Sequence, residues 1–313
     1  MKTEWKPRIG SDGMPSPRVF LSASVPSVKR DKRYLSGPVE PKLMARIIET
    51  RVRDAVASFV VQLLRAGGQL VFGGHPKIVP IVAGAAGNFF RREGEHFPVL
   101  LYQSAYFRDD VPPVGREEME KSGIARVNWV PSDPEEAAKT YSIKSPYLDR
   151  CGEFKGLYEG QHDNDSQREL SSALAVMRVV MILDGQAQTI LSMGGMEGIS
   201  AEAKLFHEIR QKGWSVGPVH FSEDTMEGTA PRETFALRST YGAAKVLDSA
   251  NFIDEDYFGQ RPSALRRGPE GESLLEPARK MELTRMQLME RIRYDRMMTD
   301  FVKSIAGSSR QGK

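Results

Sequence analysis

Three times in this chain a short apolar run breaks into small residues and gives way to a helical pattern. The runs are RVFLSAS (18–24), QLVFGGHP (69–76) and AQTILSMGG (187–195), the last continuing as MEGISAEAKLF. Their strands are apolar throughout rather than alternating, as expected of strands buried on both faces of a parallel sheet. Each junction sits where a βα unit would place its loop, at the carboxyl end of a strand.

The rest of the chain repeats that grammar. The spacing of Leu43, Ile47, Val52, Val56, Phe59, Val60 and Leu63 predicts a helix that stops at Gly67-Gly68. A helix is expected to begin within KIVPIVAGAAGNFFRR, and strands are expected at 97–107 and 126–132, with a short helix near 115–122 between them. Helices are predicted over 166–185, where Ser166 and Glu169 have capping-box spacing, over 199–212 and around 232–248, with a strand at 214–221. Strands alternating with helices predict an α/β, Rossmann-like fold: a mostly parallel sheet with helices on both faces, plus a C-terminal helical extension.

Three segments stand apart. Residues 1–17, rich in Pro, Gly, Ser and charge, are expected to form a flexible leader before a domain spanning 18–250. Residues 140–166 lack a clear period and are expected to form an insertion or a mobile loop within it. A linker and helical extension then occupies 251–313. Its Met-rich stretch 276–305 fits either a helix that caps the domain or one that makes a homo-oligomer.

Charge and cysteine content exclude several classes. The 44 basic and 41 acidic residues leave a net charge of +3, too small a surplus for a protein that coats nucleic acid. One cysteine, Cys151, excludes an intramolecular disulfide framework and favours a cytoplasmic location. The five histidines are scattered without ligand spacing, so the sequence calls for no metal and no cofactor. No segment reads as a signal peptide or a membrane span.

The candidate site residues follow from the strand ends. Ligands of open parallel sheets bind beyond the carboxyl ends of the strands, where glycines admit close approach and helix N-termini offer N–H groups. The ligand-binding candidates are therefore Ser22 and Ser24, Gly73, Gly74 and His75, and Gly194, Gly195, Met196, Glu197 and Gly198. None of the loops matches G-x-G-x-x-G or a P-loop, which argues against a standard dehydrogenase or NTPase. Two charged residues carry the candidate chemistry. Arg178 stands within the apolar run LAVMRVVMIL and needs a partner or a phosphate if buried. Glu202 stands near the start of a predicted helix, where a carboxylate can face sugar hydroxyls or simply complement the helix dipole. Arg108, Lys144, Tyr147, Arg150 and Tyr158 lie on loops able to close over a ligand and are otherwise ordinary surface residues.

FLSAS, VFGGHP and SMGGMEGISAEAKLF, in that order, resemble the SLOG superfamily, the Rossmannoid group that includes the DNA-uptake protein DprA (Smf) and the LOG cytokinin-activating enzymes. The resemblance covers about residues 18–250 and is nearest to stand-alone SLOG proteins with GGHP after the second strand. Related SLOG domains occur in bacterial conflict systems, including the sensor half of the Thoeris NAD-depleting effector. The resemblance implies a nucleotide-derived ligand, such as a nucleoside phosphate or an NAD- or ADP-ribose-derived signal, sensed or processed in antiviral defence. By resemblance to the LOG enzymes, Arg178 and Glu202 would be the catalytic pair of a phosphoribohydrolase cleaving the N-glycosidic bond of nucleoside 5′-monophosphates. The LOG pattern G-G-x-G-T-x-x-E becomes G-G-M-E-G-I-S-A-E here, without the Thr and with one residue more. Val179 replaces the Lys that follows the LOG arginine. Those departures put binding ahead of hydrolysis. A DprA-like nucleic-acid binder is the third reading, and the near-balanced charge disfavours it.

Overall fold

The computed structural model describes residues 2–25, 41–92, 94–108, 115–154, 165–193, 197–210, 213–216, 244–247 and helical positions between 295 and 306. Strands β1 (Thr3–Glu4), β2 (Arg18–Ala23), β3 (Gln69–Phe72), β4 (Phe89–Phe90), β5 (Val99–Ser104), β6 (Ala125–Val130), β7 (Thr189–Met193), β8 (Gly213–Val216) and β9 (Ala244–Leu247) alternate with helices. The helices are α1 (Pro41–Arg65), α2 (Val79–Ala86), α3 (Arg116–Lys121), α4 (Pro134–Thr140), α5 (Pro146–Asp149), α6 (Asp165–Asp184) and α7 (Glu197–Arg210).

The main sheet has the order β6-β5-β3-β2-β7-β8-β9, and each adjacent pair is parallel. The chain starts in the middle at β2 and builds outward through β3, β5 and β6. It then returns to β7, on the other side of β2, and builds outward again. The strand order therefore reverses between β2 and β7, which is the crevice where doubly wound sheets bind their ligands.

The helices divide with that reversal. Alternate residues of each strand feed two separate cores. Val19 and Leu21 of β2, Leu70 and Phe72 of β3, and Leu101 of β5 pack with Val56, Phe59 and Leu63 of α1 and with Val82 of α2. Phe20, Val71, Leu100 and Tyr102 point the other way, onto Val176, Val180 and Met181 of α6 and Leu205 and Phe206 of α7. Both faces of the sheet are thus covered, which is why its strands read as unbroken apolar runs.

Local chemistry sets several boundaries. The N-cap Asp133 accepts from the Glu136 N–H at 2.9 Å, and Pro134 with Glu135 and Glu136 fills the first turn of α4. Ser145 caps α5 by accepting from the Tyr147 N–H at 3.3 Å, again ahead of a proline. Helix α5 and a 3-10 turn at Cys151–Phe154 lie within the region 140–166 read as an insertion or mobile loop, which α4 enters only at Thr140. Apolar residues of α4, α5 and the 3-10 turn, among them Leu148, pack with the α6 core; residues 155–164 lie outside the described residues.

The segment before β2 departs from expectation. Instead of a loose leader, β1 pairs with β4 in a two-stranded parallel sheet, and Trp5 is 3% exposed. The indole of Trp5 donates to the Gly68 carbonyl at 3.0 Å, and the Arg8 N–H donates to Gly67 O at 2.9 Å. A buried tryptophan outweighs the polar composition around it. The predicted helix around 232–248 also fails where it can be seen, because 244–247 is the sheet's edge strand β9.

Toward the far end of the chain, Met298, Phe301 and Val302 are helical and buried in the α1 core, with Ile305 packed against it. The Phe301 ring lies 6.1 Å from that of Phe59, and Ser58 Oγ hydrogen-bonds Asp295 Oδ1. The described part of the extension therefore caps its own domain.

Candidate functional site

The strand–helix register at the order reversal brings three predicted residues together. On β2, Phe20 and Ser22 are two residues apart and face the same side. On α7, Glu202 and Phe206 are four apart and share one helix face. The two spacings match. Phe206 packs on Phe20 with ring centroids 6.1 Å apart, and Ser22 Oγ donates to Glu202 Oε2 at 2.5 Å. Arg178, on the inner face of α6, reaches the other carboxylate oxygen, with Nε 3.5 Å from Oε1.

Burial governs the electrostatics of this cluster. The Arg178 side chain is 6% exposed and that of Glu202 14%. Burial pushes the Glu202 carboxyl above the ordinary carboxylate value, opposed by the Arg178 charge and the Ser22 hydroxyl. Burial also pulls Arg178 below its ordinary value, opposed by Glu202. The partner that a cation in an apolar helix requires is therefore Glu202, and the guanidinium's charge is already answered within the protein.

Gly198 completes the contact. A Cβ there would lie 3.1 Å from Arg178 Nη2, so the missing side chain lets the first turn of α7 meet the guanidinium. Glu197 is the first residue of α7, and its side chain lies outside the described residues, as do Gly194, Gly195 and Met196.

Ser24, just past the end of β2, is buried, and its N–H donates to Met193 O at 3.2 Å. Its hydroxyl has no hydrogen-bond partner among the described residues. A buried hydroxyl left this way beside a strand end is a ready contact for a ligand oxygen.

The GGHP loop follows β3, the neighbour of β2 on the other side. Gly73 has packing reasons for its size, since a Cβ would lie 3.3 Å from Met177 Cε and 3.4 Å from Met181 Cε on α6. Gly74 adopts φ +61°, and a Cβ there would stand 2.9 Å from Gln103 Cγ and Nε2. His75 orients the loop: its Nδ1 accepts from the Lys77 N–H at 3.2 Å, and its carbonyl accepts from the Ile78 N–H at 2.8 Å at the start of α2.

Of the loop residues singled out by sequence, Arg150 pairs with Glu153 at 2.6 Å on the surface, and Tyr147 Oη donates to Glu208 O at 3.4 Å. Tyr158 lies outside the described residues. Arg108 is different. Its guanidinium lies 5.5 Å from the centroid of the Trp129 ring, and that of Arg116 lies 5.0 Å from the same ring. Arg116 Nη1 also donates to Gln103 Oε1 at 3.1 Å. Sequence reasoning missed Gln103, Arg116 and Trp129. No sequence signal marked them: Gln103 and Trp129 fall inside the strands expected at 97–107 and 126–132, and Arg116 inside the short helix expected near 115–122.

Residues 46–143 match the model of the SLOG cluster3 family, which supports membership of the SLOG superfamily and a nucleotide-related function in general. The matched span runs from α1 to just past α4 and includes the GGHP loop, Arg108, Arg116 and Trp129. No curated protein and no solved structure matches the chain. Among the described residues, no helix is long and apolar enough to cross a membrane.

Proposed function

We propose that this SLOG-superfamily chain binds a nucleotide-derived small molecule beyond the carboxyl ends of β2, β3 and β7, as a sensor or processor of that molecule. The observation that carries the reading is the Ser22–Glu202–Arg178 cluster at the point where the strand order reverses. A carboxylate has about four lone-pair sites. Ser22 and Arg178 fix the Glu202 plane and leave lone pairs for ribose hydroxyls. The Ser24 hydroxyl and the N–H groups of the glycine loops are the proposed contacts for phosphate oxygens. A role in bacterial conflict follows the resemblance to SLOG domains of such systems.

The test is a natively purified protein extracted and analysed by mass spectrometry for bound nucleotide, followed by thermal shift with AMP, NAD and ADP-ribose. The expected result is a rise in unfolding temperature with at least one of them, lost in Glu202→Gln. No shift with any nucleotide, and none co-purifying, would overturn the reading.

A second reading, hydrolysis of a nucleoside 5′-monophosphate, is favoured by one observation. The two residues matching the LOG arginine and glutamate stand 3.5 Å apart. In that reaction Glu202 would stabilise the oxocarbenium-like state or orient water. Release of free base from AMP, abolished in Glu202→Gln, distinguishes hydrolysis from binding alone.

A further inference from the structure

We propose that Arg108 and Arg116, held against Trp129, form a second anion subsite that takes a distal phosphate of the ligand. The ligand is then a nucleoside carrying a pyrophosphate or a longer phosphate chain rather than a monophosphate. This rests on the nucleotide reading above.

Position is the first argument. Gln103 and Trp129 are register partners one residue short of the carboxyl ends of β5 and β6. The subsite therefore opens at the same edge of the sheet as Ser22 and Ser24. Between β6 and β2 lie β5 and β3, so these strands stand three spacings apart, about 14 Å, with Gln103 and Trp129 on the α1 face of the sheet and Ser22 on the α6 face. The GGHP loop bridges that gap. Gly74 packs on Gln103, and Gln103 holds Arg116. A ligand seated with its ribose at Glu202 and its first phosphate over the glycines would carry its next phosphate toward the two arginines.

Charge is the second argument. Both guanidiniums lie within 5.5 Å of the centre of one indole ring, which orders them through their π faces. Among the described residues, neither forms an ion pair. Arg116 has the neutral Gln103 oxygen, and the adjacent Glu117 is tied to Lys121 at 2.8 Å. Arg178 has its own carboxylate within ion-pair distance, and among the described residues these two have none. Two like charges gathered on one ring favour an incoming anion, and planar guanidinium forks match phosphate oxygens.

The experiment is calorimetric titration of the wild type and of Arg108→Gln, Arg116→Gln and the double variant with AMP, ADP and inorganic pyrophosphate. Unfolding curves check each fold, and exposed Arg108→Gln serves alone if Arg116→Gln disturbs α3. The wild type is expected to bind ADP at least tenfold more tightly than AMP. The double variant should lose that preference and its pyrophosphate binding while keeping its AMP affinity. Pyrophosphate should also change the tryptophan fluorescence of the wild type and not that of Trp129→Phe. Equal affinities for AMP and ADP, or an ADP preference that survives in the double variant, overturns the proposal. Glu202-dependent nucleotide binding indifferent to both arginines would sink the subsite and leave the function standing. Arginine-dependent pyrophosphate binding with no nucleotide bound would overturn the nucleotide reading and leave the anion subsite standing.

Discussion

Ser22 and Glu202, 180 positions apart in the sequence, share a 2.5 Å hydrogen bond between the end of the central strand and the second turn of α7. The bond joins the first strand laid down in the main sheet to the first helix after the strand order reverses. Removing the hydroxyl in Ser22→Ala leaves a buried carboxylate with one of its two partners among the described residues. The expected loss is about 1.5–3 kcal/mol, the usual contribution of a hydrogen bond to a charged group. Urea unfolding of the variant checks it, and a stability within error of the wild type would contradict the assignment.

The pH dependence follows from the raised Glu202 value. Burial lifts the carboxyl above its ordinary 4.5, so the folded chain holds this proton to higher pH than the unfolded chain does. The stability Glu202 contributes is full below about pH 4.5 and declines as pH rises through the folded value. Glu202→Gln removes this component. The difference in unfolding free energy between wild type and Glu202→Gln, measured from pH 4.5 to 7.5, should drift against the wild type as pH rises. A constant difference would refute it.

Gly74 links the two halves of the candidate site. Gly74→Ala meets both a left-handed backbone and Gln103 at 2.9 Å, and its expected cost is about 1–3 kcal/mol. Because Gln103 holds Arg116, the same change should weaken pyrophosphate binding more than AMP binding, read by the titrations above.

Tyr102 is wholly buried on the α6 face, where its hydroxyl hydrogen-bonds Asp184 Oδ2. Burial and the Asp184 charge drive its ionisation far above the ordinary tyrosine value, so it stays a donor across the working pH range. Tyr102→Phe is expected to cost about 1.5–3 kcal/mol, with ligand affinity unchanged. Denaturant midpoints and a parallel nucleotide titration separate those two effects.

The apolar runs at 18–24 and 69–74 became β2 and β3 within two residues, and the helices read at 43–65, 166–185 and 199–212 became α1, α6 and α7. Those elements are long or fully buried, and their periodicity is strong. The α4 helix was missed because seven residues opening on a proline and two glutamates carry almost no apolar period, only caps. The two-residue strands β1 and β4 carry no period at all; backbone bonds from the Thr3 and Trp5 N–H groups and the buried Trp5 side chain fasten them. At the site, the pairing of Arg178 with Glu202 was readable as a requirement, a buried cation needing a partner. Which partner it takes depends on matching a strand step of two against a helical step of four, and that register is a property of the folded sheet. The Trp129 cluster depends on β5 and β6 lying side by side, and neither strand announces its neighbour.

Phe301 is wholly buried against α1 with its ring 6.1 Å from Phe59. Phe301→Ala removes that aromatic contact and leaves a cavity in the core, for an expected loss of about 3–5 kcal/mol. Thermal or urea unfolding measures it, and a loss below about 1 kcal/mol would show that the extension is only loosely seated.

The contact between Ser58 and Asp295 spans 237 positions of the chain. At ribosomal speeds of about 5–20 residues per second, roughly 12–50 s pass between the synthesis of one partner and of the other. Through that interval the greasy flank of α1 has no cover of its own. Every nascent copy must therefore carry that flank through synthesis without the residues that bury it, and Phe59 gains its aromatic neighbour only when Phe301 has been made.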